Sequence, residues 1–145
     1  MIFRVSAAAA FVLSLVGLSA PLHAQTIEIK LPEVCASLSM PHADQMQGGG
    51  NMQSMQGMGE PSQAYMKGMM EMNQQMMPGM MIQDPDIAFN CSMIVHHQGA
   101  IAMAETQLKY GKDETTKKRG QKIIDDQKKE IDQMTKWLEK HAQKS

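Results

Sequence analysis

The stretch "MIVHHQGAIAMA", residues 93 to 104, carries two imidazoles and two thioethers within three helical turns. At about 100° per residue, Met93, His96, His97, Ala100, Met103 and Ala104 fall within roughly a third of a helix circumference. Adjacent histidines cannot point along one direction, but they can straddle the centre of that stripe. Alanines and Gly99 leave room around them. An earlier stretch, "YMKGMMEMNQQMM", repeats the theme: Met66, Met69, Met70, Met76 and Met77 share a narrow arc, with Met72 at its edge. If that face packs on the histidine helix, its thioethers look toward both imidazoles, and Met134 from a later helix joins them.

A methionine stripe at helical spacing usually fills core, because the flexible thioether fits irregular gaps. A histidine on a packed face is more often hydrogen-bonded than ligating, and Glu130 offers His96 or His97 a partner. Packing has no purchase, however, on "QMQGGGNMQSMQGMG", residues 45 to 59. Glycine and glutamine make it too polar to fold around a core, yet Met46, Met52, Met55 and Met58 stand in it. Metal chemistry does reach them. Thioether is a soft, neutral ligand that selects Cu(I) or Ag(I) over zinc and hard cations. It survives in an oxidising space where free thiols are lost to disulfides. Imidazole adds a borderline ligand that also holds Cu(II).

Three helices must position these groups. Pro61 or Ser62 starts the first, and Pro78-Gly79 is expected to stop it. Asp84 caps the second, with Pro85 at its first position, and Tyr110-Gly111 ends it. Asp113 caps a third, from about Glu114 to His141. On that helix Ile123, Gln127, Glu130, Ile131, Met134, Trp137 and Leu138 share a face. Gln127 and Glu130 there are polar groups aimed inward, each needing a partner to offset roughly 1–3 kcal/mol of burial cost. Gly120 in mid-helix points to a close helix approach. Short links between long amphipathic helices predict an all-α antiparallel bundle.

Before the bundle, "MIFRVSAAAAFVLSLVGLSAPLHAQ" has one cation, a short apolar run and a small-residue cleavage site. This predicts a signal peptide over 1–24, too short in its apolar run to span a bilayer, and a periplasmic or secreted protein processed near Ala24. Residues 25–60 are expected as a flexible Met/Gly/Gln-rich arm and 61–145 as the bundle domain. "TIEIKLPEVCASL" within the arm suits a short strand or one helical turn. The chain has 145 residues, 17 of them methionine, and a formal charge of −1 that becomes −2 without Arg4. No bias toward nucleic acid or stable membrane insertion follows. Cys35 and Cys91 fit one disulfide, with a pair of soft metal ligands as the alternative.

"DIAFNCSMIVHHQGAIAMAETQL" followed by "IIDDQKKEIDQMTKWL" resembles the bacterial family known as domain of unknown function 305. Its pattern is an M-x-x-H-H-x-x-A-I-x-M-A helix and a later Q-x-x-E-I-x-x-M-x-x-W-L helix. The resemblance covers most of 62–141 and implies a ferritin-like helical bundle, with some exported members linked to copper. Its motif positions here are Met93, His96, His97 and Met103, then Gln127, Glu130, Met134 and Trp137; the arm lies outside them.

The expected function is therefore capture of copper ions, chiefly Cu(I), for sequestration or for delivery to a copper-transfer partner protein. A di-iron oxidase needs Glu-x-x-His from each of two helices. Glu105 is followed at that spacing by Leu108 and Glu130 by Gln133, so no enzyme is expected. The alternative is a metal-free bundle whose methionines scavenge oxidant or that serves as an interaction module. Three helices make a thin bundle, so a homodimer burying the Met/His face is a further expectation.

Overall fold

Two aspartates open the principal helices. The Asp84 carboxylate accepts from the amides of Asp86 and Ile87 at 2.9 and 3.0 Å, and Asp113 accepts from the Thr116 amide at 2.7 Å. Each satisfies amides that a helix start leaves without partners, worth about 1 kcal/mol. A computed structural model describes residues 27–39 and 57–142. Its elements are α1 (Glu33–Ala36), α2 (Glu60–Met80), α3 (Pro85–Tyr110) and α4 (Glu114–His141). This is the expected all-α bundle of three long helices. No described helix is long and apolar enough to cross a membrane. The signal peptide expected over 1–24 and the arm methionines Met46, Met52 and Met55 lie outside the described residues; Met58 is exposed.

α3 is the central element, with α2 against one side and α4 against another. Both neighbours run antiparallel to it, joined by short links at 81–84 and 111–113. The fully buried side chains Ile94, Val95 and Ile101 come from α3 and Leu138 from α4. Burying each contributes on the order of 1.5–3 kcal/mol. α4 turns its lysines and carboxylates outward, where Lys136 pairs with Asp132 at 2.6 Å one turn away.

The close contacts between α2 and α3 are made by small residues. A Cβ on Gly79 would meet Leu31 Cδ1 and Ser92 Oγ, both at 3.2 Å, and one on Gly99 would stand inside the Met72 side chain, 2.7 Å from its Cγ. Gly68 sits over Ala102. On the other side Gly120 packs against Ala104 and Leu108, the close approach expected for it.

Several expectations change here. Pro78-Gly79 does not stop α2, which continues to Met80 and closes with the Met81 and Ile82 amides bonded to the Pro78 and Gly79 carbonyls. Gly79 lies inside the helix beneath Leu31 and Ser92, where a side chain would push its neighbours back by a few tenths of an ångström. The inward face of α4 is led by buried Ile124, whereas Ile123 is exposed. Nor is the whole of 25–60 a loose arm. Residues 27–35 lie antiparallel along α3, with the Lys30 amide bonded to Gln98 Oε1 at 2.9 Å and Cys35 disulfide-bonded to Cys91. Ile29, Leu31 and Cys35 are buried, and that apolar content is what docks the segment. The helical turn, not the strand, is what forms there, directly after Pro32.

Candidate metal centre

The histidine pair divides. His97 is buried, 7 % exposed, against α4; His96 is exposed. The sequence expectation that both straddle one inward stripe therefore holds for His97 alone. Neighbouring residues on a helix point about 100° apart, and the α3–α4 contact is narrower than that.

His97 Nε2 lies 2.6 Å from Glu130 Oε2. A carboxylate only accepts, so the proton in this contact belongs to Nε2. In the neutral ring the lone pair is then on Nδ1. His97 Nδ1 is buried and has no hydrogen-bond partner. A buried acceptor left without a donor costs about 1–3 kcal/mol, so its retention calls for an explanation. A carboxylate that fixes the tautomer while the other nitrogen stays open is the usual support of a metal-ligating imidazole. The expectation that Glu130 faces inward changes here: its side chain is 53 % exposed, and it reaches the buried His97 ring from the solvent side of α4.

The register of α4 on α3 sets what surrounds this ring. The two helices are antiparallel, so the 97–130 contact places residue 93 level with residue 134, one turn along. Met93 and Met134 are half-buried, and Met134 packs on the main core. Trp137 follows on α4, its ring stacked on His141 at 4.3 Å. One imidazole nitrogen and two thioethers thus stand at neighbouring levels of the α3–α4 seam. Among the described residues no three His, Cys, Asp or Glu side chains converge.

The remaining predicted ligands are spread out. Met72 and Met76 pack against the core, Met70 and Met77 are half-buried, and Met66, Met69 and Met103 are exposed, the last two at 43 % and 42 %. The face of α2 that meets α3 is centred on Gly68, Met72 and Gly79, so the arc drawn through Met66, Met69, Met70, Met76 and Met77 is rotated from the real contact. A wheel weighted by hydrophobicity cannot find a seam built on glycine. Cys35 and Cys91 are oxidised to a disulfide, which removes them as metal ligands.

A separate cleft of about 530 Å³ opens on the flank where residues 27–31 meet α2 and α3, lined by Ile27, Ile29, Gly68, Ala102, Glu105 and Leu108 among others. Glu105 Oε2 is buried there without a partner. Burial pushes the Glu105 carboxyl above its ordinary value, opposed by the Ile27 amide and by Lys128. The sequence brings in Glu105 only as half of an absent Glu-x-x-His motif; the structure places it between Ala104 and Thr106, both buried. The lining of the cleft contains neither histidine nor methionine.

With this geometry in place, comparison with known families is decisive for membership. The family model described as Domain of unknown function (DUF305) matches residues 23–138. The chain belongs to that family. The DUF305 match spans the segment docked along α3 as well as most of α2 to α4. Comparison with curated proteins gives no match.

Proposed function

We propose that this DUF305 protein binds Cu(I), through His97 Nδ1 with Met93 and Met134, for sequestration or for transfer to a partner protein. One observation carries the proposal: the buried, unpartnered His97 Nδ1, left as the open nitrogen by the Glu130 contact on Nε2. The donor set around it is one imidazole and neutral thioethers, which suits a monovalent soft ion and leaves a zinc or calcium charge uncompensated. Glu130 orients the ring, and Met93 and Met134 supply sulfur from two helices. The methionines before α2 (Met46, Met52, Met55 and Met58) serve as collecting ligands. Neutral ligands of modest individual strength exchange readily, which favours transfer as much as storage.

An exported location accords with the leader at 1–24 and with the Cys35–Cys91 disulfide, a bond that persists in oxidising compartments. A bundle of ferritin-like ancestry accords with the family. The metal-free alternative, a methionine pool against oxidants, draws on the exposure of Met66, Met69, Met80 and Met81. It leaves the buried histidine nitrogen unexplained.

The test is anaerobic titration with Cu(I) against a chromophoric chelator. The wild-type chain is compared with His97→Ala and with His141→Ala, a control on an exposed ring. Loss of the tightest ion in His97→Ala alone supports the site. A wild-type chain that takes no Cu(I) from the chelator ends the copper reading.

A further inference from the structure

The tandem histidines leave one ring without a role. His96 is exposed, its ring centroid 6.0 Å from that of His97 and its plane turned by 66°. Its direction on α3 is away from α4, toward the open edge of the α2–α3 seam. Met93 precedes His96 by three residues and His97 by four, the two spacings at which side chains on one helix meet. One thioether is therefore a neighbour of both rings.

The register of α2 supplies a second sulfur. Met72 lies on Gly99, Gly79 on Ser92, and the Tyr65 hydroxyl donates to Gln107 Oε1 at 3.2 Å. These three contacts fix an antiparallel alignment in which Met76 is level with His96. Met76 is half-buried against the core, and by helical rotation it sits on the same open side of the seam as His96.

We propose that His96, Met93 and Met76 form a second, outer Cu(I) position that loads the inner one, with Met93 as the ligand common to both. This rests on the inner site argued above. In the transfer the ion stays on the Met93 sulfur while His96 and Met76 are exchanged for His97 and Met134. Copper remains Cu(I) and both thioethers remain neutral. No oxidant or reductant is required. The arrangement gives an exposed imidazole a reason to stand beside a buried one: entry at the surface, retention within.

The experiment uses the purified full chain with Cu(I) alone, under anaerobic conditions. Equilibrium competition reads retention and stopped-flow mixing reads loading, for wild type, His96→Ala, His96→Gln and His97→Ala, with helicity checked by circular dichroism. The expected result is that both His96 variants keep the tightest ion while loading it about tenfold more slowly, the effect of a barrier raised by about 1.4 kcal/mol. His97→Ala is expected to lose the tightest ion and keep a weaker one. Loading of His96→Ala and His96→Gln at the wild-type rate overturns the outer position. So does loss of the same single ion in the His96 and His97 variants, because that describes one shared site. Failure of the wild type to bind Cu(I) removes the inner site instead, and this proposal with it.

Discussion

Replacing Glu130 by glutamine isolates what the carboxylate does for His97. The substitution keeps side-chain length and leaves an amide oxygen able to accept from Nε2–H, so the ring loses charge support rather than contact. Hydrogen bonds to ionised acceptors are about twice as strong as neutral ones, and outer-shell changes of this kind cost about 10–100-fold in metal affinity. The structure decides where in that range the effect falls. The imidazole is buried, which strengthens the interaction, but Glu130 is 53 % exposed, and water screens the half of the carboxylate that faces it. The expected loss is therefore near the lower end, about tenfold, or about 1.4 kcal/mol of binding. The neutral amide also permits the tautomer with the proton on Nδ1, which cannot ligate. Competition against a Cu(I) chelator measures the affinity, and urea unfolding of the apo chain checks that stability is little changed. Affinity within twofold of wild type refutes the role given to the pair. An effect as large as that of His97→Ala equally refutes it, since the carboxylate would then be acting as a ligand.

Two further outcomes follow from the scaffold. Cys35 and Cys91 close a loop with a sequence separation of 56, and chain-entropy arguments assign that bond about 4 kcal/mol of stability. The double serine variant should lose about that much in urea unfolding, and a loss under about 1 kcal/mol would show that the docked segment is held by its apolar side chains instead. Glu105→Gln should raise the melting temperature at about pH 7 and give no gain well below the ordinary carboxylate range. The sign comes from burial holding the carboxyl above its unfolded value: the folded state binds the proton more tightly, so the stability it adds is present at low pH and lost as pH rises through the folded value. A melting temperature at neutral pH unchanged by the substitution would mean that Lys128 or water satisfies Oε2 in solution.

The helices were legible because their signals are local. Asp84-Pro85 and Asp113 declare helix starts in the residues themselves, and the structure uses both as caps. The end of α2 was not, because Pro78-Gly79 is a local stop signal and what packs on Gly79 is distant in sequence: Leu31 and Ser92 lie tightly over it. A pairing of Glu130 with one of the two histidines could be read from the helix stripes, but not which ring would take it. That His96 would turn outward could not, since it depends on how wide the α3–α4 contact is. The Met72 seam was misjudged by about one helical step for a related reason. Hydropathy weights methionine heavily and glycine hardly at all, while the helices chose their contact plane by closeness of approach.

That choice bears on whether the methionines are packing material. Where α2 meets α3, Gly68, Gly79, Gly99 and Ala102 bring the backbones together, and only Met72 and Met76 among the α2 methionines reach the core. Met66, Met69, Met80 and Met81 keep between 36 % and 53 % of their surface in water. An apolar group left in that position forgoes about 25 cal/mol for each Å² it could have buried. A chain using methionine only as filler would exchange these for lysine or glutamate without loss, as α4 has done on its own outer faces. Under the proposed Cu(I) function, the thioethers retained in water along α2, together with Met103 on α3, have a use as sulfur ligands that packing does not give them.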